Sequence, residues 1–245
     1  TQAQMVGVKV AGGFGPVLFE PAQMTYLQED PGSAITVIAE GFADALLADQ
    51  LNTAVGCAVS AVSNVAALVN DVSATAGVTQ GGLNNSHRKF GDMSSILSAD
   101  VMTGDVYHRL VAEAITNGNR LFLSTNVQVV DILGKLVIIS DIPALYEAGS
   151  PNKDKVLSVT SGGIIVDNSS DIVSNMETSN GKLRIETTWQ ADYTFGVKLK
   201  GYAWDVANGG ASPTDAELFT GTNWDKSVAE NKHTLGTLLV GSADA

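Results

Sequence analysis

Cysteine, histidine and positive charge are all scarce in this chain, and each shortage closes off some chemistry. Only Cys57 is present, so no disulfide can close within the chain and paired-cysteine metal frameworks are excluded. Three histidines leave a hydrolytic or metal site few groups to draw on. His87 lies beside Arg88 and Lys89, whose charges disfavour a neighbouring dication, and His108 stands between Tyr107 and Arg109 without the HxxxH spacing of a zinc helix. His233 follows Lys232 in a polar segment. All three read as surface or interface histidines. Against 26 Asp and Glu there are 14 Lys and Arg, a net charge of -12, which opposes the phosphate neutralisation behind non-specific nucleic-acid binding. No stretch approaches the roughly 20 uninterrupted apolar residues that span a bilayer. No basic segment followed by an apolar run opens the chain, so no membrane role is expected and the product reads as cytosolic. The chain starts at Thr1 and not Met, which points to upstream residues removed by processing or left off.

Charge of either sign is also low. Charged residues make up 16% of the chain and apolar ones 44%, where an average soluble protein carries about 25% charged residues. With 245 residues the chain is long enough for one large core or two smaller ones. The charge deficit, the 25 glycines and a slightly positive mean hydropathy imply that much of the outer surface is covered by something other than water. Neighbouring copies of the same chain are the simplest cover.

Periodicity sketches the elements. Residues 6–10 and 14–19 read as two strands of a hairpin turning at Gly12 and Gly13. Asp30 and Pro31 read as a helix start. Ile35, Ile38, Phe42, Leu46, Leu51, Val55, Val59, Val62, Ala66 and Val69 then recur at helical steps, which predicts one long helix continuing past Gly56. Residues 75–85 read as a loop, residues 95–102 as a buried strand, and Thr103 as the cap of a helix that Asn117, Gly118 and Asn119 stop. Apolar runs at 127–130, 136–139 and 164–166 read as strands, and two longer alternating strands are expected at 183–188 and 193–204. Strands interleaved with helices make the chain α+β or α/β.

No constellation carries a catalytic signature. Ser98, Asp100 and His108 are close in sequence, but triad members normally converge from separated positions, and the G-x-S-x-G elbow is missing. The glycines around Phe14 lack the Gly-Lys-Ser/Thr of a phosphate loop. The acidic run 167–171 departs from calcium-loop spacing and reads as a turn. Cys57 reads as a small buried hydrophobe, and Trp189, Trp204, Trp224, Tyr193 and Tyr202 as anchors of the core or of subunit contacts. No catalytic, cofactor or metal residue is expected.

Four passages in order along the chain resemble the major capsid proteins of tailed bacteriophages. FGPVLFEPAQMTYLQEDPGSAITVIAEGFADALLADQLNTAVG resembles the hairpin leading into the spine helix, and SILSADVMTGDVYHRLVAEAITNGN the strand and helix that open the axial domain. VVDILGKLVIISDIPAL resembles the passage after it, and GYAWDVANGGASPTDAELFTGTNWDKSVAENKHTLG the tail of one subgroup. The resemblance implies the Hong Kong-type capsid fold, an α+β architecture with an axial domain, a peripheral domain carrying a long spine helix, and an extended E-loop hairpin. Here the E-loop hairpin is expected at residues 1–20, the peripheral domain with the spine at 21–82, the axial domain at 83–170, and peripheral strands with the C-terminal segment at 171–245. The family's N-terminal arm has no counterpart in the sequence.

By the same resemblance the chain assembles with itself into pentamers and hexamers of an icosahedral shell. The shell encloses double-stranded DNA without reading its sequence, with a portal and decoration proteins as further partners. Assembly takes place in the host bacterial cytoplasm and the product resides in the virion. Gly12, Gly13, Phe14, Trp189, Tyr202 and Trp204 are expected at subunit contacts. Some relatives lock their shells with a Lys–Asn isopeptide bond. Lys9 and Asn208 show no residue-by-residue match to that device, so non-covalent or accessory-protein stabilisation is expected. The competing readings are an encapsulin-like nanocompartment shell and, more remotely, a soluble hydrolase using one of the histidines.

Overall fold

The computed structural model describes residues 6–20, 23, 25, 31–116, 131–132, 135–181 and 185–244. Strand β1 (Val8–Phe19) buries Val8 and Val10 and exposes Lys9 and Ala11, as alternating strand side chains require. It is one strand and not the expected hairpin. All of it runs antiparallel to β9 (Ile185–Leu199), from Val8 opposite Val197 to Phe19 opposite Thr187, with a register shift between Phe14 and Val17. A short hairpin closing at Gly12 and Gly13 is marginal on its own, whereas β9 offers a ladder along the whole run. Both glycines are therefore extended.

Strand β8 (Ile164–Asn180) lines the other side of β9, giving the order β1-β9-β8. The turn expected at 167–171 is absorbed into β8, where the register shifts between Asn168 and Ile172. The two strands expected at 183–188 and 193–204 are a single strand through residue 199, and the break falls instead at Lys200 and Gly201, before β10 (Tyr202–Trp204). Residues 183 and 184 lie outside the described residues.

Helix α1 (Pro31–Ser63) is 33 residues long, about 50 Å. The cap expected at Asp30 lies outside the described residues. The helix is continuous through Gly56, where a Cβ would sit 2.3 Å from the Phe219 ring, so the missing side chain admits that ring. It stops short of Ala66 and Val69. Ser63 Oγ turns back onto the Val59 carbonyl at 2.6 Å and Val65 N–H closes onto Val62 at 3.0 Å. Val69 then enters β2 (Val69–Asp71), which pairs in parallel with β12 (Gly236–Ser242). By length and composition Thr36–Ser63 is apolar enough to cross a bilayer. In the fold, Ala54, Val55, Cys57, Ala58, Val59, Ala61 and Val62 are all core residues.

The central sheet has the order β2-β12-β7-β3-β5-β4, with β6 also against β7. Its further strands are β3 (Leu97–Met102), β4 (Asp131–Ile132), β5 (Lys135–Ile139), β6 (Tyr146–Glu147) and β7 (Lys153–Thr160). Neighbouring residues serve opposite faces. Val101, Leu157 and Leu238 join the core that includes the buried half of α1, while Met102, Val156 and Leu239 pack with Leu83, Val106 and Leu110. That second layer comes from α2 (Gln80–His87) and α3 (Gly104–Thr116).

Helix α2 occupies a stretch expected to be loop. Thr79 Oγ1 accepts from Gly82 N–H at 3.0 Å and Glu113 accepts from Gln80 N–H at 2.9 Å. These end contacts offset the helix cost of Gly81 and Gly82. The strand and capped helix expected next are present, with Val106 N–H on Thr103 Oγ1 at 3.4 Å. The expected stop at 117–119 and strand at 127–130 lie outside the described residues. After β10 come α4 (Val206–Gly209), α5 (Asp215–Leu218) and β11 (Trp224–Lys226), the last paired with β10 through Trp204 and Trp224.

Candidate functional site

Helix α1 crosses one face of the β1-β9-β8 sheet, and aromatic rings fill the joint. Phe42 of α1 meets Phe14, Trp189 and Tyr193 edge-on, with ring centroids 5.8, 5.8 and 6.0 Å away, and Phe14 meets Trp189 at 5.7 Å. Such edge-to-face pairs add about 0.5–1.5 kcal/mol each beyond area burial. Tyr193 Oη donates to Asp49 Oδ2 at 2.7 Å; burial first, and that bond second, raise the phenol well above its ordinary pKa. A Cβ on Gly12 would lie 2.4 Å from the Tyr193 ring and 2.8 Å from Asp49 Oδ2. Gly12 is therefore required by the close approach of Tyr193, not by a turn. Gly13 is exposed opposite Asp192.

Toward the tip of the sheet the cover runs out. A crevice of about 370 Å³ opens between helix and sheet, lined by apolar groups that include Ile38, Phe42, Ile172, Met176 and Trp189. Every residue from 171 to 180 on β8 is exposed, so both faces of this part of the strand are bare. Val173 is 70% exposed, Met176 55% and Ile185 63%. A projecting arm with apolar groups on both faces and β8 at the sheet edge is a site for association.

The aromatic residues expected at subunit contacts divide. Phe14 and Trp189 are half-buried; Trp189 lines the crevice, and Phe14 packs against it and Phe42. Tyr202 and Trp204 are corrected: they are 0% and 4% exposed and serve the subunit's own core. The Trp204 indole N–H donates to the Gly210 carbonyl at 2.9 Å and its ring packs 4.9 Å from Trp224. Sequence reasoning missed Val173, Met176 and Ile185. The available signal was apolar residues on adjacent positions of an otherwise polar stretch, Ile172 and Val173 above all.

His87 is also corrected, from surface to core. It is buried, and its Nε2 lies 3.0 Å from Asp100 Oδ1 and 3.1 Å from Ser158 Oγ. Asp100, Ser158 and Thr237 stand opposite one another across β3, β7 and β12, and Ser86 Oγ bonds Thr237 Oγ1 at 3.1 Å. This buried polar row pins α2 onto the sheet. Both oxygens meet the same ring nitrogen, whereas a catalytic triad needs serine and carboxylate on opposite nitrogens. Ser98 Oγ turns to the Val159 carbonyl at 3.2 Å, and the His108 ring packs on Tyr107.

Cys57 is fully buried, and burial pushes its thiol up to about 12, which keeps it from acting as a nucleophile. Among the described residues no cluster of three or more His, Cys, Asp or Glu can hold a metal. Asp167 pairs with Lys198, and Lys9 lies 4.0 Å from Asp171. Asn208 bonds Asp205.

A family described as Gp13-like, Major capsid protein 13-like, matches residues 1–238. No curated protein sequence matches significantly. Among solved structures, the encapsulin of the holo-SrpI complex from Synechococcus elongatus aligns at TM-score 0.53 and 9% identity, over 79% of this chain and 70% of that one. The capsid asymmetric unit of cyanophage Pam1 aligns at TM-score 0.51 and 14% identity, over 97% of this chain and 75% of that one. At such identities the likeness speaks for the fold alone, and the fold is the Hong Kong-type shell fold.

Proposed function

Since the chain belongs to the Gp13-like family of major capsid proteins and is a capsid shell subunit, we propose that it builds a closed icosahedral shell from rings of five and six copies. The shell surrounds double-stranded DNA and forms the head of a virion. The observation that carries this reading is the projecting arm: residues 171–180 are exposed throughout, and their apolar groups find cover only on other molecules. Contacts of this size are weak singly and become strong when closed symmetry repeats them.

In this reading β1, α1 and the β8–β9 arm form the peripheral part of the subunit, and the central sheet with α2 and α3 the axial part around the symmetry axes. The work is structural and not enzymatic. The net charge of -12 fits a wall that lies near packed DNA without adhering to it. A portal and decoration proteins complete the particle.

The likeness to an encapsulin favours a second reading, a shell that holds protein cargo. Particle contents separate the two. Nuclease-treated particles are expected to release protected double-stranded DNA on denaturation; particles holding a single enzyme species and no DNA, when recovered from infected cells, would show the cargo reading to be right.

A further inference from the structure

A cleft of about 510 Å³ opens between the middle of α1 and the segments packed beside it. Four charged side chains line it: Asp49 on α1, Glu147 on β6, Lys155 on β7 and Asp215 at the start of α5. Lys155 pairs with Glu147 at 2.7 Å, and those two charges cancel. Among the described residues Asp49 is met only by the neutral Tyr193 hydroxyl, and the Asp215 carboxylate has no partner. Two negative charges are left over.

Thr53 lines the same cleft. It is 4% exposed, and its hydroxyl has no hydrogen-bond partner among the described residues. Ser63, further along the same helix, turns its Oγ back onto the Val59 carbonyl at 2.6 Å; Thr53 makes no such bond. A hydroxyl buried this far normally has a partner, so its open acceptor points to a donor that arrives with a ligand. A metal ion is the wrong donor, because among the described residues no group of His, Cys, Asp and Glu can hold one. We infer that the cleft binds a primary alkylammonium group. Its charge is met by Asp49 and Asp215, one N–H goes to Thr53 Oγ1, and its alkyl chain lies against Pro143, Ala144 and Phe219, which supply the apolar wall. Three separate acceptors suit the three N–H donors of an ammonium, whereas a planar guanidinium fork suits the paired oxygens of one carboxylate. A free polyamine and the lysyl side chain of another molecule both present this group. The site goes beyond the shell reading and is read on any folded copy of the chain.

The probe is n-butylammonium chloride, added to the full chain while the thermal unfolding midpoint is followed. Sodium chloride at equal ionic strength and n-butanol are the controls. A ligand of the folded state raises the midpoint with concentration, and a saturable rise is expected for the ammonium alone. Asp215→Asn removes a charge at an exposed position, and Thr53→Val removes the hydroxyl while keeping the buried volume. Each is expected to weaken binding about tenfold, the usual effect of losing a hydrogen bond or charge contact to an ionised group. The inference is overturned if the ammonium does no more than sodium chloride, if n-butanol matches it, or if both folded variants bind as tightly as the parent. Repeating the titration on assembled particles separates the sources. Binding retained there assigns the cleft to free polyamines, and binding lost there assigns it to a lysyl side chain of a neighbouring molecule; either upholds the site. A chain that forms no particles removes the shell reading and leaves the titration of the single chain standing.

Discussion

Replacing His87 by alanine is expected to lower the stability of the subunit by about 3 kcal/mol. The Asp100 carboxyl is completely buried, and its Oδ1 is held by the imidazole at 3.0 Å. Its Oδ2 already has no partner among the described residues. Removing the ring strands the second oxygen as well, in a layer where water does not reach it, and frees α2 from the sheet. Changing both partners together, His87→Leu with Asp100→Leu, is expected to cost much less than the single substitution, because no polar group is then left buried alone. Urea unfolding of dissociated subunits gives both numbers. A His87→Ala variant as stable as the parent would show that the buried row is an incidental contact.

Trp224→Ala is expected to lose about 3–5 kcal/mol, the usual cost of emptying a large buried aromatic site. The ring is 1% exposed, packs 4.9 Å from Trp204, and its N–H donates to the Leu218 carbonyl at 2.9 Å. It ties β11 to β10 and to α5 at once. A loss of this size approaches the whole stability of a typical domain, so the variant is expected in the insoluble fraction, with no particles. Trp224→Phe keeps most of the apolar volume and is expected to remain soluble with a lowered midpoint. Normal yield and midpoint for Trp224→Ala would contradict the placement of this residue at the centre of the C-terminal core.

Much of the frame was legible in the sequence because it rests on local signals. The stripe from Ile38 to Val62 and the continuity past Gly56 specify α1, Thr103 marks the start of α3, and the alternation of Phe195, Val197 and Leu199 marks β9. What misled was settled by distant partners. Gly12 and Gly13 read as a turn until Tyr193 and β9 are placed beside them. Val69 fits the helical stripe, yet the ladder with β12 claims it. Gln80, Gly81 and Gly82 look like loop residues until Thr79 and Glu113 satisfy the helix end.

The candidate site was half legible for the same reason. Phe14 and Trp189 stand out in the sequence as aromatics, but nothing local separates them from Tyr202 and Trp204, which the fold buries. His87 was hidden because its neighbours Arg88 and Lys89 signal a surface, while its partners Asp100 and Ser158 come from two strands distant in sequence, β3 and β7.

Copies of this chain are expected to cover one another's bare apolar faces. Sedimentation velocity of the purified, folded chain over a wide range of concentration and ionic strength addresses this directly. Boundaries in the megadalton range, with closed shells in micrographs of the same fractions, are the predicted result. A single slow boundary at the 25.4 kDa of one chain under every condition would contradict it.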